Sequence, residues 1–138
     1  MIIEPLAPHR LDDAVELWRQ VGLTRPWNDP YDDLCRALAG PSSTVLAGIE
    51  GDTLIATAMV GHDGHRGWVY YLAVCPGMQG HGRGRAIMNA CEAWLDERHV
   101  PKLNIMVRAN NTAAAGFYEA LGYSPDDVIV LSRRLHKS

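Results

Sequence analysis

Three glycines at alternate positions, Gly80, Gly82 and Gly84, stand between an apolar run and an amphipathic one. No other stretch limits so strongly what this chain can become. The run before them, Trp68 to Val74, has the aromatic and β-branched composition of a strand. Pro76 and Gly77 end that strand, because proline cannot donate to a ladder and the pair favours a turn. After the glycines, Ile87, Met88, Cys91, Trp94 and Leu95 recur at helical spacing, and the helix they predict ends near His99. Strand, glycine turn and helix in succession aim a helix N-terminus at a ligand. Glycines let backbone N–H groups approach closely, and the unpaired first-turn donors together with the helix dipole favour an anion. Arg83 and Arg85 add positive charge at the same end. The stretch predicts a site for a diphosphate-bearing cofactor.

Three familiar glycine arrangements compete for this reading. A Walker loop needs a Lys-Ser/Thr pair after its last glycine, and none follows Gly82 or Gly84. The dinucleotide fingerprint is G-x-G-x-x-G, whereas the spacing here is G-x-G-x-G. A purely structural turn would explain two glycines more readily than three flanked by Gln79 and two arginines. Gln79-x-x-Gly82-x-Gly84, following Leu72-Ala73-Val74-Cys75-Pro76, resembles the acetyl-CoA signature of the GNAT superfamily of N-acetyltransferases.

The rest of the chain agrees with one such domain over residues 1–138. That length suits a single core. Hydrophobic residues at 47% and charged residues at 21% describe a globular protein, and a net charge of −3 argues against a broad nucleic-acid surface. No run reaches the roughly 18 apolar residues of a membrane span. MIIEPLAPHR lacks the basic and apolar pattern of a signal peptide. Cys35, Cys75 and Cys91 are odd in number and far apart, so they read as buried thiols in a reducing compartment and not as a metal site. The expected location is the cytoplasm, with no metal.

In chain order, residues 1–6 predict a strand, and Leu11, Ala14, Val15, Trp18 and Val21 predict an amphipathic helix ending at Gly22. Asp29 before Pro30 predicts a capped helix through about Leu38, with a break at Gly40-Pro41. Residues 44–49 and 53–60 predict a hairpin across Glu50-Gly51-Asp52, and a second turn at 61–67 leads into the strand before the glycines. Residues 103–107 predict a further strand. Asn111 and Thr112 cap a helix over 114–121 ended by Gly122, and residues 128–131 predict a last strand. Arg133, Arg134, His136 and Lys137 read as a solvated basic tail. The expected order is β-α-α-β-β-β-α-β-α-β: an α/β (α+β) chain with one mixed, mostly antiparallel sheet and helices on both faces. The GNAT fold has this order, so the resemblance covers nearly the whole chain.

The resemblance implies roles for particular residues. Acetyl-CoA is the implied cosubstrate and a primary amine, of a small molecule or a protein, the acceptor. The pantetheine arm would lie along Leu72, Ala73 and Val74, where a bulge bends the strand away from the next one. The pyrophosphate would lie on Gly80, His81, Gly82, Arg83, Gly84 and Arg85, with Gln79 at the head of the loop. A backbone N–H of the bulge would polarise the thioester carbonyl. Asn111-Thr-Ala-Ala-Ala-Gly-Phe117-Tyr118-Glu-Ala-Leu121-Gly122-Tyr123 resembles the superfamily's closing motif, which puts Asn111 at the cofactor and Tyr118 at the sulfur as general acid. By periodicity alone, Phe117 and Tyr118 would be core residues.

A general base is not assigned. Met106 stands where the ribosomal-protein N-terminal acetyltransferases carry a glutamate, which argues against their mechanism; Glu119, Asp63, His62, His65 or a water on Tyr70 remain open. The acceptor wall is expected between the first two helices, with Trp27, Asn28 and Tyr31, and with Tyr70 from the central strand. Asp29, Asp32 and Asp33 offer carboxylates for an ammonium group, although Asp29 reads first as a helix cap. Leu23-x-Arg25-Pro26-Trp27-Asn28-Asp29-Pro30, with Asp63-Gly64-His65-Arg66-Gly67, also resembles the small bacterial YpeA-like acetyltransferases. Relatives of this kind commonly pair through the last strand, so a homodimer is the assembly the resemblance suggests. The competing reading is an acyl-CoA-binding sensor without turnover.

Overall fold

The structure, a computed structural model, describes residues 1–136; Lys137 of the basic tail lies outside the described residues. The chain divides after Ile105 into two units.

In the first unit, strands β1 (Ile2–Pro5), β2 (Ser43–Glu50), β3 (Thr53–His62), β4 (Gly67–Val74) and β5 (Leu103–Ile105) form one sheet in chain order. Neighbours from β1 to β4 pair antiparallel, and β4 pairs parallel with β5. The parallel pair needs a crossover, and the helix after the glycines supplies it. The sheet is therefore mixed and mostly antiparallel, as expected.

Alternation along the strands sorts the core into two layers. Val45, Ala47 and Ile49 face Val15, Trp18, Leu34 and Ala37 from helices α1 (Leu11–Gln20) and α2 (Pro30–Ala39). On the other face, Leu46, Ala58, Val60 and Val69 are buried to 6% exposure or less. Helix α3 (Arg83–Glu97) packs there with Ile87, Met88, Cys91 and Leu95. Each fully buried aliphatic side chain stabilises by roughly 1.5–3 kcal/mol relative to exposure, so this two-sided burial carries the fold. Gly67 makes room for α3 against the sheet: a Cβ there would lie 2.5 Å from Leu95 Cδ1.

Local chemistry ends the helices where the sequence indicates. The Asp29 carboxylate accepts the Tyr31 backbone N–H at 2.9 Å, with Pro30 in the first turn, so Asp29 caps α2. Helix α1 closes with bonds from Gly22 N–H to the Arg19 carbonyl and from Leu23 N–H to the Trp18 carbonyl. Those two bonds make a Schellman end.

In the second unit, α4 (Thr112–Ala120) is capped by the Asn111 side chain, which accepts the Ala114 N–H at 3.1 Å. It closes with the same two-bond end, through Gly122 and Tyr123.

Three sequence expectations are corrected. Residues 128–131 form no strand among the described residues, and Val128, Ile129, Val130 and Leu131 are 61–85% exposed. A β-branched run suits a pleated, half-buried surface but makes a strand only where a partner accepts it. Strand β5 ends at Ile105, two residues before the expected Val107. Cys35 is exposed on α2 rather than buried, because Leu34 and Ala37 take the inward positions of that helix.

Candidate active site

The turn after β4 has the geometry its glycines demand. Gly77, Gly80 and Gly82 all lie in the left-handed region, at φ 85°, 82° and 81°. A side chain there would be strained, although around Gly80 and Gly82 there is open space where a Cβ would sit. Gly82 is the N-cap residue of α3, and no side chain caps that end. The first-turn N–H groups of Arg83, Gly84 and Arg85 lack helical partners, which makes the end suited to an anion. Gln79 donates its side-chain amide to the Val74 carbonyl at 3.1 Å, tying the loop to the strand. His81 is exposed between the two left-handed glycines.

The two arginines are not equivalent. Arg83 makes a two-pronged pair with Glu50, Nε–Oε1 and Nη2–Oε2 both at 3.0 Å, and donates to the Met78 carbonyl at 3.2 Å. Hydrogen bonding from Arg83 holds the Glu50 carboxyl below the usual carboxylate range. The Arg83 head group thus fixes the loop against the β2–β3 hairpin, and the charge expected of it is largely matched by Glu50. Arg85 is exposed and has no carboxylate partner among the described residues.

Strand β4 is irregular within the stretch where the resemblance implies a bulge, and the irregularity lies against β3. Thr57 pairs with Ala73 and Met59 with Tyr70, so Ala58 alone faces both Tyr71 and Leu72. Two residues opposite one make a β-bulge. Tyr71 takes φ 53°, a left-handed conformation that is costly for a tyrosine. On the other edge of β4, pairing to β5 stops at Val69. The outer edge from Tyr70 to Val74, which includes Leu72 and Ala73, has no ladder partner among the described residues. An extended, amide-bearing arm can add to such an edge.

The predicted acceptor residues are spread around α1, α2 and β4. Trp27 and Asn28 are exposed in the α1–α2 connection. The Tyr31 hydroxyl donates to Asp12 Oδ1 at 2.6 Å, and that bond raises its pKa. Tyr70 is 42% exposed, with its pKa raised by partial burial and then by Asp63. Backbone N–H groups of Arg66 and His65 hold Asp63 below the usual carboxylate range, and the Trp68 indole lies 3.4 Å from its other oxygen. In the second unit, Tyr118 is half-buried on α4, edge-on to Phe117 at 5.1 Å and to Tyr123 at 6.0 Å. Asn111 spends its side-chain oxygen on the cap of that helix.

Sequence reasoning missed the Glu50–Arg83 clamp and the anchoring of Tyr71. Glu50 and Arg83 are 33 residues apart, a distance no local pattern bridges. Tyr71 carries no signal at all, since the left-handed region is ordinarily announced by glycine or asparagine. Among the described residues no group of three or more His, Cys, Asp or Glu side chains is disposed to hold a metal ion. No helix there is long and apolar enough to cross a membrane.

Comparison with known proteins gives a consistent result. The family model described as acetyltransferase (GNAT) family matches residues 11–123. An acetyltransferase of Yersinia pestis (strain Pestoides F) is 42% identical over 124 residues, covering 90% of this chain and 88% of its own. Among solved structures, the aminoglycoside acetyltransferase AAC(6')-Iy, in complex with the bisubstrate analog CoA-S-monomethyl-acetylneamine, superposes with a TM-score of 0.83. It shares 14% identity and is matched over 96% of this chain and 97% of its own. The aminoglycoside acetyltransferase meta-AAC0020, from an uncultured soil metagenomic sample and bound to sisomicin, gives 0.81 at 16% identity, over 98% and 96%. Identities this low establish the fold alone.

Proposed function

The chain belongs to the acetyltransferase (GNAT) family and is an acyltransferase, and from that premise we propose that it moves an acetyl group from acetyl-CoA to a primary amine by direct attack in a ternary complex. The observation that carries this reading is the conjunction at the end of β4. There a bulged strand, whose outer edge has no ladder partner among the described residues, runs into a loop whose Gly80 and Gly82 are left-handed and open α3. The edge suits pantetheine, and the N–H groups of Gly80 to Arg85 suit a pyrophosphate. Arg85 supplies the cation, while Arg83 holds the loop through Glu50.

The chemistry follows from the thioester. The neutral amine attacks the carbonyl carbon, forming a C–N bond and a tetrahedral oxyanion that a backbone N–H of the bulge stabilises. Collapse breaks the C–S bond, and the Tyr118 phenol protonates the departing thiolate. The proton released by the new amide nitrogen restores the phenol. No side chain is assigned as base; an amine whose pKa is lowered on binding arrives neutral.

Trp27, Asn28, Tyr31 and Tyr70 are the proposed acceptor contacts, and Asn111 a cofactor contact. The aminoglycosides held by structural neighbours make amino sugars one class to test. Kinship with the YpeA-like group rests on the segment 23–30 and the turn before β4. The setting this reading implies is the cytoplasm, where acetyl-CoA is present and all three cysteines remain free thiols. A homodimer is carried over from the resemblance alone, and neither nucleic acid nor membrane is a proposed partner.

The test is release of CoA thiol in the presence of acetyl-CoA and a panel of amines containing neamine, sisomicin, polyamines and short peptides. Amine-dependent release is expected, and Tyr118→Phe should lower it about 10²-fold while acetyl-CoA still binds. Unchanged turnover in that variant would remove Tyr118 from the mechanism.

A further inference from the structure

Tyr71 is a non-glycine residue held at a left-handed φ of 53° beside the proposed thioester site, and its surroundings explain how it stays there. Its ring stacks on Trp18 with centroids 3.8 Å apart and planes 9° from parallel. Its hydroxyl donates to Asp33 Oδ2 at 2.6 Å, and Asp33 also pairs with Arg36 at 2.7 Å. Its carbonyl, turned out of the ladder by the bulge, accepts the Thr57 hydroxyl at 2.9 Å. That same hydroxyl oxygen accepts the Trp18 indole N–H, also at 2.9 Å. Trp18 and Thr57 are both fully buried. One tyrosine is therefore fixed at ring, hydroxyl and carbonyl by α1, α2 and β3 together.

A left-handed non-glycine residue costs about 1–3 kcal/mol and persists only where its surroundings over-determine it. A glycine at position 71 would make the same bulge without strain. A tyrosine there adds what glycine lacks, a rigid link from the bulge to both helices that border the acceptor wall. We infer that Tyr71, clamped by Trp18, Thr57 and Asp33, is a positioning residue that sets the bulge of β4 so that its backbone N–H meets the thioester carbonyl. The inference rests on the acetyl-CoA reading above. Tyr71 touches neither substrate in this role; it acts through the backbone, so misplacing the bulge weakens carbonyl polarisation before it weakens cofactor affinity. Small displacements matter at such sites, since about 1 Å can cost on the order of 10²-fold in rate.

The test needs no acceptor. Acetyl-CoA labelled with carbon-13 at the thioester carbonyl is bound to the full chain, and the carbonyl stretch is read by infrared difference spectroscopy. In the unaltered protein the band is expected at lower frequency than in free acetyl-CoA. Tyr71→Leu, which removes stack and hydroxyl, and Thr57→Val, which releases the Tyr71 carbonyl at nearly constant volume, should each return most of that shift. Acetyl-CoA affinity should stay within about threefold, less than 1 kcal/mol. Thr57→Ser, which keeps the hydroxyl, should restore the shifted band. A shifted band that persists in both variants overturns the inference, as does loss of acetyl-CoA binding in the folded Thr57→Val protein. Failure of the unaltered protein to bind acetyl-CoA is a different result, and it strikes the proposed function itself.

Discussion

Removing the Tyr71 hydroxyl isolates one bond of the clamp and leaves the stack on Trp18 in place. In Tyr71→Phe the 2.6 Å bond to the Asp33 carboxylate is lost, and Asp33 retains its pair with Arg36. A hydrogen bond to a charged partner contributes about 1.5–3 kcal/mol when well shielded. Tyr71 is only partly buried, so solvent screening brings the expected loss to about 1–2 kcal/mol. For a chain of this length that corresponds to a Tm lower by roughly 3–8 °C. The pH dependence identifies the bond. Burial, and then the bond to Asp33, raise the phenol's pKa in the folded chain, whereas the unfolded phenol titrates near its ordinary value of 10.0. The native state therefore favours the protonated phenol. Its contribution is complete below about pH 10 and is lost as pH rises above that value toward the folded pKa. Equilibrium urea unfolding of both proteins from pH 7 to pH 11 checks this. The gap should hold steady to about pH 9 and close above about pH 10. No gap at pH 8, or a gap unchanged at pH 11, refutes the reasoning.

Gly82→Val should leave the fold intact, because a Cβ there meets nothing within 4 Å and only the left-handed backbone at φ 81° resists it. The strain is about 1–2 kcal/mol, yet relieving it rotates the N–H groups away from the anion, so calorimetry should show acetyl-CoA affinity lost by more than about tenfold. Burial pushes the Cys91 thiol up to about 12, while Cys35 is exposed. Titration with an aromatic disulfide reagent at pH 8 should therefore label Cys35 in the native chain and reach Cys91 only after unfolding.

Much of this molecule was legible where a local pattern has a local cause. The Asp29-Pro30 start of α2, the Gly51-Asp52 hairpin and the glycine turn onto α3 each follow from residues within a few positions of one another. The two-layer core followed from the 3.6 and 2.0 periods of its elements. What escaped depends on residues far apart in sequence. The Glu50–Arg83 pair and the Trp18–Thr57–Tyr71–Asp33 cluster join elements that meet only once the sheet has formed. Residues 128–131 show the opposite error. Val128 to Leu131 have strand composition, but composition cannot supply the neighbouring edge that a strand requires. At Tyr71 a local rule failed outright, in a place where strain and the proposed chemistry coincide.

The most direct test of cofactor recognition by the glycine loop is titration calorimetry of the full chain with acetyl-CoA, with ATP as the competing phosphate ligand. Micromolar affinity for acetyl-CoA, corresponding to about −8 kcal/mol, is expected with much weaker binding of ATP. Equal binding of both ligands, or no binding of acetyl-CoA, would contradict the assignment and return the loop to the status of a structural turn.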